Sequence, residues 1–160
     1  MRCHKVALRL AGALLVLHPL GCGKGEEHRN GAADPVGAIR AVLAQDEALG
    51  ADRNHAPESQ PISQAIRDYV AGLQGIDFGG CPEEFTRAFR RHIAAWQRSI
   101  PFFAQFDHLR GEMHDIFESI RQQEGEARAG LESAEEDIWG TWDEVEAAAR
   151  RAGAISDLGP

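Results

Sequence analysis

His92 is the residue with the clearest capacity for chemistry in this chain. It stands inside an apolar stripe rather than on a polar face. At about 100° per residue, Phe85, Phe89, His92 and Trp96 share one side of a helix, with Ile93 and Ile100 beside them. An imidazole held there has two readings. It is a metal or haem ligand, or an acid–base group, inside a helical bundle, or it is packed among aromatic rings with a nitrogen bonded to a neighbouring helix. Cys81 is not its partner within the same helix. The eleven positions that separate them span roughly 16 Å, beyond the reach of one metal ion. A metal site at His92 therefore needs groups from another helix. Two further pairs have helical spacing, His108 with Glu112 and His114 with Glu118. All four lie off the Leu109/Met113/Ile116/Phe117/Ile120 stripe, so solvated salt bridges are the expectation. Near the C-terminus, Glu132, Glu135, Glu136, Asp137, Asp143, Glu144 and Glu146 surround Trp139 and Trp142. This is either a docking face for a basic partner, with Trp139, Trp142, Glu135 and Glu136 as its surface, or a weak cation site, or a solvated outer face with one tryptophan turned inward.

The elements that must position these residues are helical. Pro82 suits a first helical position, where its missing N–H has no partner to lose, and Glu83 and Glu84 place negative charge at the positive end of the helix dipole. Arg87, Arg90, Arg91 and Arg98 fall opposite the stripe. They form a basic patch or a solvated face paired with acidic neighbours. Pro101 is expected to end or kink this helix near Ser99–Ile100. Asp34-Pro35 is a cap-and-start pair for an earlier helix whose stripe, Val36, Ile39 and Leu43, runs out near Leu49-Gly50. A polar loop is expected over 51–60. Ile62, Ala65, Ile66, Tyr69, Val70, Leu73 and Ile76 mark a helix over 61–76, and Phe78 is placed to staple against the first turn of the next helix. Two helices are expected beyond the aromatic run 102–106, at 107–123 and 127–152. The break is set near Glu124–Glu126 because Gly125, Gly130 and Gly140 each cost about 1 kcal/mol in a helix interior. No stretch alternates as a strand does. The expected fold is all-α, an antiparallel bundle of four to five helices over 35–160.

The N-terminus reads as an export signal over 1–21. Arg2, Lys5 and Arg9 precede the apolar run 10–17, which is shorter than the about 20 residues that cross a membrane. Leu20-Gly21-Cys22 follows, and here the segment resembles a bacterial lipoprotein signal, with Pro19 standing where that pattern usually has leucine. The resemblance implies lipidation of Cys22, cleavage before it and anchoring by acyl chains, each buried methylene contributing about 0.8 kcal/mol. Gly23 after the cysteine, rather than Asp, resembles a cargo of the outer membrane facing the periplasm. An ordinary cleaved signal, with a soluble periplasmic or secreted product, is the alternative. Residues 22–34 are polar and glycine-rich and read as a tether. With Cys3 in the signal and Cys22 lipidated, Cys81 is left without an intrachain partner; a buried cap position is its default.

The chain has 160 residues, 43 % hydrophobic, enough for one domain with its own core. Its formal charge is -8 and becomes more negative once the basic signal is removed, which argues against a general nucleic-acid binder. No Glu-x-x-His pair, Cys-x-x-Cys-His, Gly-x-Ser-x-Gly or phosphate loop is present. The stretches 81–96 and 141–154 resemble small uncharacterised helical proteins of bacterial envelopes, a likeness that transfers no functional residue. The function expected is that of a lipid-anchored envelope protein, a non-catalytic interaction or accessory module without a cofactor. Its partners are the membrane and another envelope protein. The alternative is a metal- or haem-binding bundle using His92.

Overall fold

The computed structural model describes residues 34–156. The segments expected to be an export signal and a tether, with Cys22 between them, lie outside the described residues up to residue 33. Five helices follow: α1 (Pro35–His55), α2 (Ile62–Gln74), α3 (Glu83–Phe103), α4 (Met113–Arg121) and α5 (Glu126–Arg151). Short 3₁₀ turns, Ala56–Glu58 and Ala104–Phe106, extend α1 and α3. No strand occurs among the described residues. The fold is the all-α bundle that the periodicity predicts.

α2 and α3 bury the stripes read from their sequences, whereas α1 buries Ile39 and Val42 and leaves Val36 and Leu43 of its expected stripe only partly buried. Ile39 and Val42 of α1, Ile62, Ile66 and Leu73 of α2, Phe85, Phe89 and Trp96 of α3, Ile116 and Ile120 of α4, and Leu131, Ile138 and Val145 of α5 form one continuous core. The apolar area removed from water there is the main driving force for folding. α3 is the central element, packed against both α2 and α5. Its register with α5 is antiparallel and is marked by three ion pairs spaced seven residues apart on each helix. Arg151 bonds Glu84 at 2.7 Å, Arg91 bonds Glu144 at 2.7 Å, and Arg98 grips Asp137 with both guanidinium arms. Exposed pairs of this kind contribute about 0–1 kcal/mol each, so they specify alignment more than they stabilise. Of the four arginines expected on the outer face of α3, Arg91 and Arg98 are thus matched to acidic residues of α5, while Arg87 lies near Glu83 of its own helix.

Three boundaries differ from the sequence expectation, each for a tertiary reason. α1 does not stop at Gly50 but runs on to His55. The extra turn places the Arg53 guanidinium 4.4 Å from the Tyr69 ring centroid and 4.3 Å from that of Trp96, contacts that offset the glycine. α3 passes through Pro101 and ends at Phe103. The stop is moved by Phe103, fully buried and stacked on Phe117 with centroids 4.9 Å apart. Residues 107–112 are not helical, and α4 begins only at Met113. Asp107 is drawn away to cap a different helix: its carboxylate accepts the Ser63 backbone N–H at 2.9 Å and the Ser63 hydroxyl at 2.8 Å. α2 starts after Pro61 with no side-chain cap of its own, so this distant aspartate supplies an acceptor for its first turn. Phe78 packs on Phe89, in the second turn of α3, with ring centroids 5.4 Å apart.

The α5 glycines are not equivalent. A Cβ on Gly130 would overlap the Phe102 ring, whereas one on Gly140 meets nothing within 4 Å. Gly130 is where α5 approaches α3 closely; Gly140 is a helical glycine on open surface. Gly140→Ala is expected to stabilise the protein by about 0.5–1 kcal/mol. Gly130→Ala is expected to destabilise it by about 1–3 kcal/mol despite the same gain in helix propensity. Urea unfolding of the two variants checks the contrast, and equal effects would contradict the close approach.

Candidate functional site

The His92 ring is 2 % exposed and sits between Phe89, Trp96 and Trp142, whose ring centroids lie 6.2, 6.4 and 5.1 Å away. Its position follows from α3 geometry, since it falls on the same face as the stripe aromatics. Its hydrogen bonds define its state. Trp96 Nε1–H is a donor only, and it bonds His92 Nε2 at 3.1 Å, so Nε2 must offer its lone pair. The proton is then on Nδ1, which donates to Thr141 Oγ1 at 3.2 Å. The Thr141 hydroxyl in turn lies 2.9 Å from the carbonyls of Asp137 and Ile138 and donates into that pair. The imidazole is neutral and both nitrogens are engaged. Burial pushes its pKa down to about 4, with the Arg53 charge acting in the same direction and the Ile138 backbone acting against both. A metal or haem iron at Nε2 must first displace the Trp96 N–H, and the polar groups bonded to this ring are a threonine hydroxyl and an indole rather than carboxylates or thiols.

The network continues away from His92 into the other half of the bundle. Trp96 meets Tyr69 edge to face, centroids 5.4 Å apart. The Arg53 guanidinium lies in the corner between these two rings. Tyr69 donates its hydroxyl to Asp46 Oδ1 at 2.6 Å. Burial raises the Asp46 carboxyl pKa, countered in part by the Tyr69 bond and the Arg53 charge. Burial, with the Asp46 charge next, also raises the Tyr69 phenol. One line of polar and aromatic contacts therefore joins α1, α2, α3 and α5. Among the described residues, no buried side-chain nitrogen or oxygen lacks a hydrogen-bond partner. Asp46 and Arg53 were not singled out from sequence, although a signal exists. They continue the Ile39/Val42 stripe at helical spacing, and a charged residue on an apolar stripe implies a buried partner. A cleft of about 220 Å³ opens beside this line, walled by Leu49, Asp52, Arg53, Gln60, Asp68 and Tyr69. The Asp68 carboxylate there already accepts from the Gln60 and Gln64 amides.

Comparison of the chain with protein-family models, curated proteins and solved structures gives no match. The functional reading therefore rests on the residues themselves.

On α5 the residues picked out from sequence divide. Trp139 is 52 % exposed, and Glu136 is exposed near it. Trp142 turns inward, packs on His92 and donates Nε1–H to Glu146 at 3.2 Å. Glu135 is tied to Arg121 at 2.7 Å, linking α5 to α4. Of the expected surface, Trp139 and Glu136 are free to meet a partner, while Trp142 and Glu135 serve the fold. Cys81 is half-buried with a free thiol, in a turn where its N–H bonds the Phe78 carbonyl; burial raises its thiol pKa, with Asp77 adding to the effect. Its side chain forms no cap.

The spaced pairs His108/Glu112 and His114/Glu118 do not form. The first needs a helix over 107–112, which Asp107 prevents by capping α2. In the second, Glu118 bonds Arg121 at 2.7 Å, and His114 turns to Asp115 at 3.2 Å. Glu112 instead meets His55 at 3.5 Å, and Glu58 approaches the same imidazole nitrogen at 3.2 Å. His55 and Glu58 were legible only as a three-residue spacing across Pro57, and nothing local points from them to Glu112.

Proposed function

We propose that this protein is a lipid-anchored component of a bacterial envelope, held by Cys22, whose helical domain is a non-catalytic docking module. The observation that carries the docking half is Trp139. It is the large apolar side chain left open to solvent on a domain whose other large apolar side chains are mostly packed away. A tryptophan beside free carboxylates such as Glu136 suits a partner that offers apolar and basic groups together, since indole rings are frequent interaction anchors. The anchoring half rests on Leu20-Gly21-Cys22 behind a short apolar run, followed by a polar tether that reaches the domain at Asp34. No described helix is long and apolar enough to cross a membrane, so attachment in this reading falls to the acyl chains. The non-catalytic assignment is supported by the committed state of the interior. His92, Tyr69 and Asp46 use their polar atoms on one another and on neighbouring helices.

The test is expression of the full chain and of Cys22→Ala in a bacterium with an envelope. Intact mass should show acyl chains on the natural sequence and none on the variant, and only the natural sequence should partition into detergent. Equal solubility and no acyl mass in either would remove the anchor from this proposal.

A further inference from the structure

We propose that His55, Glu58 and Glu112 form a surface site for a divalent transition-metal ion of the zinc type. The three groups come from three places in the fold: the last residue of α1, the 3₁₀ turn that follows it, and the cap position before α4. Their ligating atoms all lie within 4.8 Å of one another. Glu58 Oε1 is 3.2 Å and Glu112 Oε1 is 3.5 Å from the same His55 Nδ1. Ligands at zinc distances of about 2.0–2.1 Å in a tetrahedron are separated by roughly 3.3 Å, so both spacings match adjacent corners of such a shell. An imidazole with two carboxylates is a donor set that suits zinc and its neighbours, and three protein ligands leave the fourth corner to water.

Hydrogen bonding alone accounts poorly for this convergence. Nδ1 carries at most one proton, which can serve only one of the two carboxylates that approach it. The ion-pair partners of Glu58 and Glu112 among the described residues are histidines, and no arginine reaches either carboxylate. Two like charges are thus held near one another with a single imidazole between them. A divalent cation at the centre of the three atoms neutralises both. The scaffold around them is ordered by contacts other than their own. Pro57 is buried between His55 and Glu58, and the Gly111 N–H reaches the Pro57 carbonyl at 3.4 Å, joining the two segments. Gly111 has φ +140, a conformation that side-chain-bearing residues rarely adopt, and it turns the chain into Glu112. The His114 imidazole lies 3.9 Å from the other oxygen of Glu112, where it can orient that carboxylate as outer groups do around metal ligands.

Titration of zinc chloride into the full chain, purified without a polyhistidine tag, tests the site. Calorimetry should show a saturable event of one ion per chain. His55→Ala and the Glu58→Gln/Glu112→Gln double variant should each weaken it at least tenfold, because each removes a ligand. His108→Ala, an exposed histidine outside the cluster, should leave it unchanged. Circular dichroism should show the same helicity in all variants, since every altered side chain is exposed. In the natural sequence, histidine side-chain NMR signals offer a readout that needs no variant to fold. Zinc should shift those of His55 and leave those of buried His92 in place. The proposal is overturned by the absence of saturable binding, by binding that survives His55→Ala undiminished, or by zinc shifts confined to other histidines.

Discussion

Trp96→Ala lowers the unfolding free energy by about 3–5 kcal/mol, the range for deleting a large buried aromatic side chain. Trp96 is 1 % exposed and meets side chains of α1 and α2 as well as of its own helix. Its ring packs edge to face on Tyr69 of α2, forms one wall of the corner that holds Arg53 of α1, and donates its N–H to His92. Its loss opens a cavity at the centre of α3 and leaves the His92 lone pair without a donor. Trp96→Phe separates these contributions. It keeps most of the apolar volume and deletes the N–H, so a smaller cost of about 1–3 kcal/mol is expected. Trp139→Ala, on the exposed face of α5, should stay within about 0.5 kcal/mol of the natural sequence. Urea unfolding followed by far-ultraviolet circular dichroism measures all three without relying on tryptophan emission. If Trp96→Ala and Trp139→Ala cost the same, α3 is not the organising helix and Trp139 is not free for a partner.

The second large effect is a loss of stability on acidification through His92. In the folded protein its pKa is about 4, against an ordinary value of 6.5. The sign follows from which state binds the proton. Between those two values the unfolded chain carries a proton on His92 and the folded chain does not, so acid favours unfolding. The contribution of neutral His92 is intact above pH 6.5 and declines as the pH falls toward 4, by an upper bound of about 3 kcal/mol. Asp46 acts in the opposite sense. Its raised pKa means that the folded state takes up a proton first, so acid relieves a cost there, within the range where carboxylates titrate. His92→Gln isolates the histidine. A glutamine carbonyl can accept from Trp96 and its amide can donate to Thr141, yet it does not titrate. Unfolding midpoints measured from pH 7.5 to 4.5 should fall less steeply for His92→Gln than for the natural sequence. Parallel slopes would mean that His92 is not the group responsible.

The local pattern was sufficient for much of this molecule. The helices, the inward faces of α2 and α3 and the solvated arginine side of α3 follow from residue spacing, because a stripe at helical period has only one way to leave water. Burial of His92 was legible for the same reason, since its neighbours in the stripe carry it inward. The packed-histidine reading and the ligand reading diverge only on what the ring meets. Spacing along α3 is silent on that, because Thr141 lies 49 residues away in sequence.

Helix ends were the weakest part of the sequence reading, and the reason is common to all three cases. Gly50, Pro101 and the stretch 107–112 carry local signals of modest strength, about 1 kcal/mol for a glycine and about 3 for an interior proline. Contacts with distant residues compete at the same scale. Arg53 on two aromatic rings carries α1 past Gly50, and the buried ring of Phe103 carries α3 past Pro101. Asp107 gives up helix to satisfy Ser63.

By itself, then, the amino-acid sequence determined that the domain is helical, which faces turn inward and that His92 goes with them. It also carries the lipobox-like Leu20-Gly21-Cys22 on which the anchoring proposal rests. Tertiary structure alone decided what His92 bonds, which of Trp139 and Trp142 faces solvent, and that His55, Glu58 and Glu112 meet. Hydrophobic periodicity is a property of neighbours in the chain and survives in one dimension. Hydrogen-bond partners and ligand sets depend on how helices far apart in sequence are docked, and no local spacing encodes that.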